Sequence, residues 1–495
     1  MFRLGAGYAP RLIAIGVAAA WMAFTAWCVA GYPPAVDLPV HGAQMQTLAS
    51  VIRGDPWLTA VYRAEFHLGY GFGEWLLLPV ALLCNGAVAA RVGAWVGLQL
   101  FPLGALAFVR AWNRSNWIAL GALPLAFNAT YYYGFLSFNL GLGIALLSLA
   151  QLSRALREIP QRTPPRRCWF WTTSALAALA LLVHLLAFVA VAVGGLSLAL
   201  VTRPCRRALS ATVAILVPAA LLSLPRVWLS ASRLRGPAPE SLEYGGLKLH
   251  LWWFWQNTGP EGRLGILVPF ALSAVLLVMW AVRRREEPAG PAAIALALLA
   301  LYFAAPRSAA GIFGVFIRFP TLIAVAALAA VQLERRRRAL LAAVVLVSVP
   351  PLVETARWHV EFKRAVAGLE GLDAAIPHRR QAYLSLQGDR ILGSRHIYLR
   401  HLGTWFTAEH GGVANNIAAE STHCPVHLKD GVVVPQILRT ADDARWFDTV
   451  IVFGEGDLPQ ALSEFSTAST SGHWRLLSRR GFARLVPAGR AAPRR

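Results

Sequence analysis

Charge is scarce in this chain. Of 495 residues only 15% are Asp, Glu, Lys or Arg, whereas 56% are hydrophobic, a balance that excludes a soluble protein of several ordinary domains. Cysteine is scarcer still. The five present, Cys28, Cys84, Cys168, Cys205 and Cys424, form no Cys-x-x-Cys pair and no metal-ligand spacing, so neither a disulfide framework nor a zinc site is indicated. Acidic residues number 25 against 47 basic ones, a formal charge of +22. That excess does not point to nucleic acid, because the arginines gather in short clusters between apolar segments, where they set membrane topology. Repeats of fixed period and low-complexity tracts are missing as well.

What the chain does have is apolar length. Runs such as "LIAIGVAAAWMAFTAWCVA" and "ALLAAVVLVSVPPLV" approach the roughly 20 residues that span about 30 Å of hydrocarbon as helix. Neither alternates with the period of two that a membrane barrel requires. The first run lacks a small-residue cleavage site and further spans follow it, so it reads as a retained anchor. Four basic clusters, at 154–167, 203–207, 283–285 and 335–338, read as cytoplasmic by the positive-inside rule. Parity then predicts spans near 208–230, 264–282, 291–305, 312–333 and 339–357, and two short crossings between Cys168 and Thr202 that turn near Val183-His184. Between 75 and 109, Arg110 and Arg114 favour one span at 89–109, preceded by a short apolar helix at 75–84 in the outer leaflet.

The fold class expected is therefore a polytopic α-helical membrane protein of about eleven transmembrane helices with a cytoplasmic N-terminus. The transmembrane domain is expected over 1–357, with a large first outer loop at 31–74. A small C-terminal α/β or α+β extracytoplasmic domain is expected over 358–495, with strands at "QAYLSL", "GVVVPQIL" and "DTVIVFG".

Ionisable groups at membrane depth are costly and usually functional or paired, and here they concentrate on the predicted outer face. The first outer loop alone holds Asp37, His41, Arg53, Asp55, Arg63, Glu65, His67 and Glu74. Asp37-Leu-Pro has two readings. One is a helix N-cap with Pro39 in the first turn, worth about 1 kcal/mol. The other is a carboxylate base or metal ligand beside His41, four residues on. Spacing alone favours the cap, since capping aspartates are common and catalytic ones few. Glu65 reads as a solvated loop acid or as a second active-site carboxylate. Arg318, in "GIFGVFIRFPTL", falls about one turn inside a predicted span. Snorkelling to headgroups and bidentate pairing with a lipid phosphate weigh equally there, with Arg307 the second candidate for the phosphate. His184 reads first as a turn or core histidine. Lys248 and His250 lie in another outer turn, followed by Trp253 of "LWWFWQN", which reads as part of an aromatic belt with sugar stacking as the minor reading. A divalent metal is left open, and no other cofactor is indicated.

Asp37, the run "HGAQMQTLASVIR", Gly54-Asp55, "GYGFGEWLLLPVALL" and "GFLSFNLGLGIALLSLAQL" together form a pattern that resembles the GT-C class of integral-membrane glycosyltransferases. That class includes the protein O-mannosyltransferases and the lipid A aminoarabinose transferases. The resemblance covers most of the chain in architecture and about the first 150 residues in motif. It implies a bacterial inner-membrane enzyme that moves a sugar from a polyprenyl-phosphate donor to an acceptor on the outer face. It implies further that Asp37 deprotonates or orients the acceptor hydroxyl, with Glu65 and His41 as the other catalytic candidates. Arg307 or Arg318 would hold the polyprenyl phosphate, and His184, Lys248 and Trp253 would complete the substrate-binding set. The implied partners are the bilayer, the lipid-linked sugar and an acceptor the sequence does not name, and no nucleic acid. Two other classes stay open, a non-catalytic scaffold of the cell envelope and a lipid or solute transporter, the latter expected to carry midplane charges and inverted repeats.

Overall fold

The computed structural model describes residues 8–66, 72–159, 167–234, 243–261, 289–309, 312–330, 337–372, 380–392, 394–415 and 424–479, with Gly265, Val268 and Ala271 as isolated positions. The span expected near 264–282 lies almost wholly outside them, as do His67, the cluster at 283–285 and parts of those at 154–167 and 335–338. The chain divides into two compact units. One comprises 1–33, 91–131 and 136–360, the other 34–90, 132–135 and 361–495.

The first unit is built from apolar helices. Among the described residues of the whole chain, Leu12–Val29, Gly86–Ala111, Leu136–Glu158 and Cys205–Leu224 are long and apolar enough to cross a bilayer. Phe72–Leu83, Cys168–Val183, Leu185–Val201, Gly290–Ala304 and Phe316–Ala330 are apolar but shorter. The helical membrane class thus holds, on these helices rather than on a count of eleven crossings. The pair Phe72–Leu83 and Gly86–Ala111 falls where one short helix and one span were expected. His184 separates Arg167–Val183 from Leu185–Val201, at the expected turn.

Small residues let two of the long helices approach. A Cβ on Gly104 would lie 2.5 Å from the Gly143 carbonyl oxygen, so the Gly86–Ala111 and Leu136–Glu158 backbones touch where neither has a side chain, as in membrane helix pairs held by packing. One expectation is corrected here. The described part of the span expected at 312–333, residues 312–330, is not a single helix. Ser308–Ala309 pairs antiparallel with Ile312–Phe313, a tight 3-10 turn follows at Phe316–Arg318, and the helix begins only at Pro320. Proline suits that first helical position, because the N–H it lacks is one that the first turn leaves without a helical partner. Arg318 therefore sits in the 3-10 turn that opens Phe316–Ala330, ahead of its α-helical part, instead of one turn inside the α-helix.

The second unit carries a five-stranded sheet. Its order is Val413–Ala414, Arg380–Ser385, Thr449–Phe453, Trp474–Arg479, Phe465–Ser471, parallel across the first three strands and antiparallel across the rest. Every residue of "TVIVF" in the central strand is buried, as expected for a strand covered on both faces. Trp474 anchors the sheet, its indole N–H donating to the Val366 carbonyl at 2.8 Å. "QAYLSL" and "DTVIVFG" form strands as expected, but "GVVVPQIL" does not. Pro435 removes an N–H from the middle of that run, and Val433 and Ile437 are 73% and 57% exposed. The strand that does form nearby, Val426–Leu428, pairs antiparallel with Tyr62–Ala64 of the first loop. The helix Leu38–Ile52 is tied to the same unit: a Cβ on Gly42 would stand 3.0 Å from that of Ala408 in the helix Thr404–His410.

Candidate functional site

In the second unit the site grows from how the helix Leu38–Ile52 begins. The segment Tyr132–Gly134 lies across its start. The Val36 N–H donates to the Tyr132 carbonyl and the Asp37 N–H to the Tyr133 carbonyl, both at 2.9 Å. Gly134 has φ +74, and a Cβ there would lie 2.5 Å from the Leu38 nitrogen and 2.8 Å from that of Asp37. No side chain fits, and an L-residue would be strained in that conformation besides.

Held in this way, Asp37 adopts φ −95 and ψ −5, a helical geometry, and its carboxylate makes no capping hydrogen bond. The capping reading favoured by spacing is corrected: the residue stands at the cap position while its side chain is turned away. A capping side chain needs an extended backbone to fold back over the first amides, and the clamp withholds it. The freed carboxylate is 35% exposed, and its Oδ1 lies 3.7 Å from Nε2 of His401. His401 follows the tight turn Tyr398–Arg400. Burial pushes the His401 pKa below the usual imidazole range, with Arg400 adding to the effect and Asp37 and Asp389 opposing it. His401 is accordingly neutral at pH 7.

His41 stands one helical turn beyond Asp37, and its Nδ1 is 2.7 Å from Oε1 of Glu74, a carboxylate only 3% exposed. Burial works against a charge on His41, but the hydrogen bond it donates to Glu74, the charge of Glu74 and that of Asp37 outweigh it, and the pKa is raised. The acid is thus flanked by two histidines whose surroundings push their protonation in opposite directions, a pattern that separates acid from base roles in enzyme sites. Glu65 has other partners: Oε1 is 2.7 Å from Nε of Arg63, and Oε2 is 3.6 Å from Nε2 of His427. Among the described residues no group of three or more His, Cys, Asp or Glu side chains is arranged to hold a metal ion.

The five substrate-binding candidates fall in the first unit, around the turn Phe313–Arg318. Arg318 is 5% exposed, and its Nη1 donates to the Phe313 and Gly314 carbonyls at 2.8 and 3.0 Å. Its guanidinium also stands 5.6 Å from the ring centre of Phe138, whose other neighbour is His184, edge-on at 5.1 Å. His184 caps its helix, accepting at Nδ1 from the Leu186 N–H at 3.1 Å. Arg307 is different: it is exposed, 5.7 Å from the Phe313 ring centre. Trp253 packs edge-on against Phe313 and Phe316 at 6.1 and 5.9 Å, and Lys248 is exposed one turn before it in the helix Leu247–Asn257. Arg318, His184 and Trp253 thus pack within this region, while Arg307 and Lys248 are exposed cations.

Sequence reasoning missed two residues of the acid site. Glu74 carried a signal, since a carboxylate opening the apolar run "GEWLLLPVALL" needs a partner when buried. His401, more than three hundred residues from Asp37 in sequence, carried none.

No protein-family profile matches the chain, and no curated protein matches it in sequence. Solved structures do. The structure of ArnT from Cupriavidus metallidurans bound to undecaprenyl phosphate superposes with a TM-score of 0.58 at 13% identity, covering 96% of this chain and 98% of that one. The same protein in the apo state gives 0.55 at 12% identity, covering 95% and 98%. The arabinofuranosyltransferase AftD from Mycobacteria gives 0.49 at 14% identity, covering 95% of this chain and 40% of that one. At such identities the likeness is one of architecture. From end to end this chain has the fold of the GT-C transferase structures that its first 150 residues resemble.

Proposed function

We propose that the protein is a membrane glycosyltransferase that moves a sugar from a polyprenyl-phosphate donor to an acceptor hydroxyl at the outer face of a bacterial inner membrane. The observation that carries this reading is the Asp37 carboxylate, placed at a helix start, released from capping and set between His401 and the His41–Glu74 pair. The solved relative bound to undecaprenyl phosphate supports the donor class.

In the reaction, the acceptor oxygen attacks the anomeric carbon of the donor sugar while the bond from that carbon to the phosphate oxygen breaks. Asp37 takes the acceptor proton, a role typically worth about 10²–10⁴ in rate. Neutral His401 steadies the carboxylate without neutralising it, and His41, whose pKa is raised by the Glu74 pair against the effect of burial, favours positive charge one turn away. The departing polyprenyl phosphate needs a cation, since stabilising developing charge is commonly the largest catalytic contribution. Arg307 suits that role better than Arg318, whose guanidinium already donates to two backbone carbonyls. Lys248 is a second cation of the same unit.

The test compares three strains, carrying the wild-type chain, the Asp37→Asn chain and no chain, by mass spectrometry of envelope glycans and of extracted lipid-linked sugars. The proposal expects the Asp37→Asn strain to match the empty one, with one sugar missing from the acceptor pool and its lipid-linked donor accumulating. A wild-type glycan profile from an Asp37→Asn chain present at normal level in the membrane would end the base assignment.

A further inference from the structure

A further cavity lies in the first unit, and none of the candidate site residues lines it. It is a groove of about 780 Å³ between the helices Tyr8–Val29 and Gly86–Ala111 and the 3-10 turns that begin at Asn116, within the range of about 300–1,000 Å³ usual for ligand sites. Its walls are apolar, with Ile13, Met22 and Leu103 all exposed. Its mouth is cationic and polar, formed by Arg110, Asn113, Arg114 and Asn116, and no carboxylate lines it among the described residues.

We infer that this groove binds one anionic glycerophospholipid, its acyl chain along the apolar walls and its phosphate at Arg110. This does not rest on the transferase reading. Two observations commit the site to that occupant. The first is length. Along the helix, Gln99 at the far end and Arg110 at the mouth are eleven residues apart, about 16 Å at 1.5 Å per residue, which matches one leaflet of a hydrocarbon core about 30 Å thick. At the far end Gln99 turns to Thr25, its Nε2 donating to Oγ1 at 2.7 Å. A long polyprenyl chain would overrun this groove, whereas an acyl chain of one leaflet fits it.

The second is charge. Arg110 is exposed, and its Nε donates to Asn116 Oδ1 at 2.9 Å, which fixes the plane of the guanidinium and leaves its outer nitrogens for the two-point contact that phosphate favours. Arg114 is buried beside it, donating to the Ala329 carbonyl at 3.1 Å. Asn113 belongs also to a second, polar cavity of about 340 Å³ lined by Arg154, Arg157, Glu158 and Trp169. A headgroup at Asn113 would therefore meet cations on two sides and one carboxylate. These arginines sit at the end of the helix that the positive-inside rule assigns to the cytoplasm, so the lipid would come from the inner leaflet.

Native mass spectrometry of the full chain in detergent tests this, with titrations of dioleoyl phosphatidylglycerol, dioleoyl phosphatidylcholine and undecaprenyl phosphate. Phosphatidylglycerol is expected to bind at one saturable site about tenfold more tightly than phosphatidylcholine. Arg110→Gln, at an exposed position, should erase that preference. Ala18→Trp, which fills the groove from an exposed position, should abolish the saturable site for both phospholipids. Equal affinities for the two phospholipids, or a preference that survives both substitutions, would overturn the inference. Displacement of phosphatidylglycerol by equimolar undecaprenyl phosphate, sensitive to Arg110→Gln, would overturn the choice of occupant.

Discussion

Two aspartates of the same loop, Asp37 and Asp55, look alike in sequence: each is followed within two residues by proline and then by a helix. Asp55 caps. Its backbone is extended, at φ −54 and ψ 114, and its carboxylate accepts from the Trp57 and Leu58 amides at 2.9 and 3.0 Å. Asp37 sits at φ −95 and ψ −5 and caps nothing. The difference comes from outside the helix. Gly54, just before Asp55, has φ +77 and nothing within 4 Å of where its Cβ would be, so that chain is free to lay its aspartate over the new helix. The chain before Asp37 is pinned to Tyr132 and Tyr133, and Gly134 presses on the first turn. A carboxylate kept from satisfying its own backbone is available for other chemistry.

The comparison sharpens when the supports on each side are removed. Glu74→Gln takes the charge from a buried carboxylate paired with His41 and should cost the most, about 3 kcal/mol, measured by thermal unfolding in detergent. Gly134→Ala should follow at about 2 kcal/mol, from positive-φ strain and a Cβ against the Asp37 and Leu38 amides. It should also lower transfer, because the Asp37 backbone must shift, and an unchanged melting temperature would show that the clamp is loose. The His41 contribution has a sign in pH. Its folded pKa is raised above the ordinary 6.5, so the stability it adds is whole below about 6.5 and is lost as pH rises through the folded value. His41→Gln should therefore cost more at pH 5.5 than at pH 8.5, and an equal penalty at both would mean that the Glu74 pair carries no charge. Arg63→Gln, beside Glu65 and half exposed, should cost least, at most about 1 kcal/mol.

Much of the architecture could be read from local pattern. Unbroken apolar runs gave the helices Tyr8–Val29, Gly86–Ala111 and Leu136–Glu158, and short apolar stretches gave two strands of the sheet. Where the reading failed, a long-range contact or one residue had overridden the pattern. "GVVVPQIL" has the composition of a strand, yet Pro435 interrupts its ladder. The Asp37 cap has the right sequence but meets a segment almost a hundred residues away. The acid site was half legible for the same reason: Asp37 and His41 share one helix turn, whereas the approach of His401 depends on the sheet and helices that close the second unit.

The most direct measurement crosses the two aspartates. Asp37→Ala and Asp55→Ala chains would each be assayed for melting temperature in detergent and for the sugar transfer proposed for the wild-type chain. The account predicts that Asp55→Ala loses about 1 kcal/mol of stability and keeps transfer, while Asp37→Ala keeps its stability and loses transfer. If Asp37→Ala instead destabilises the fold as Asp55→Ala does and still transfers sugar, Asp37 is a cap after all and the account fails.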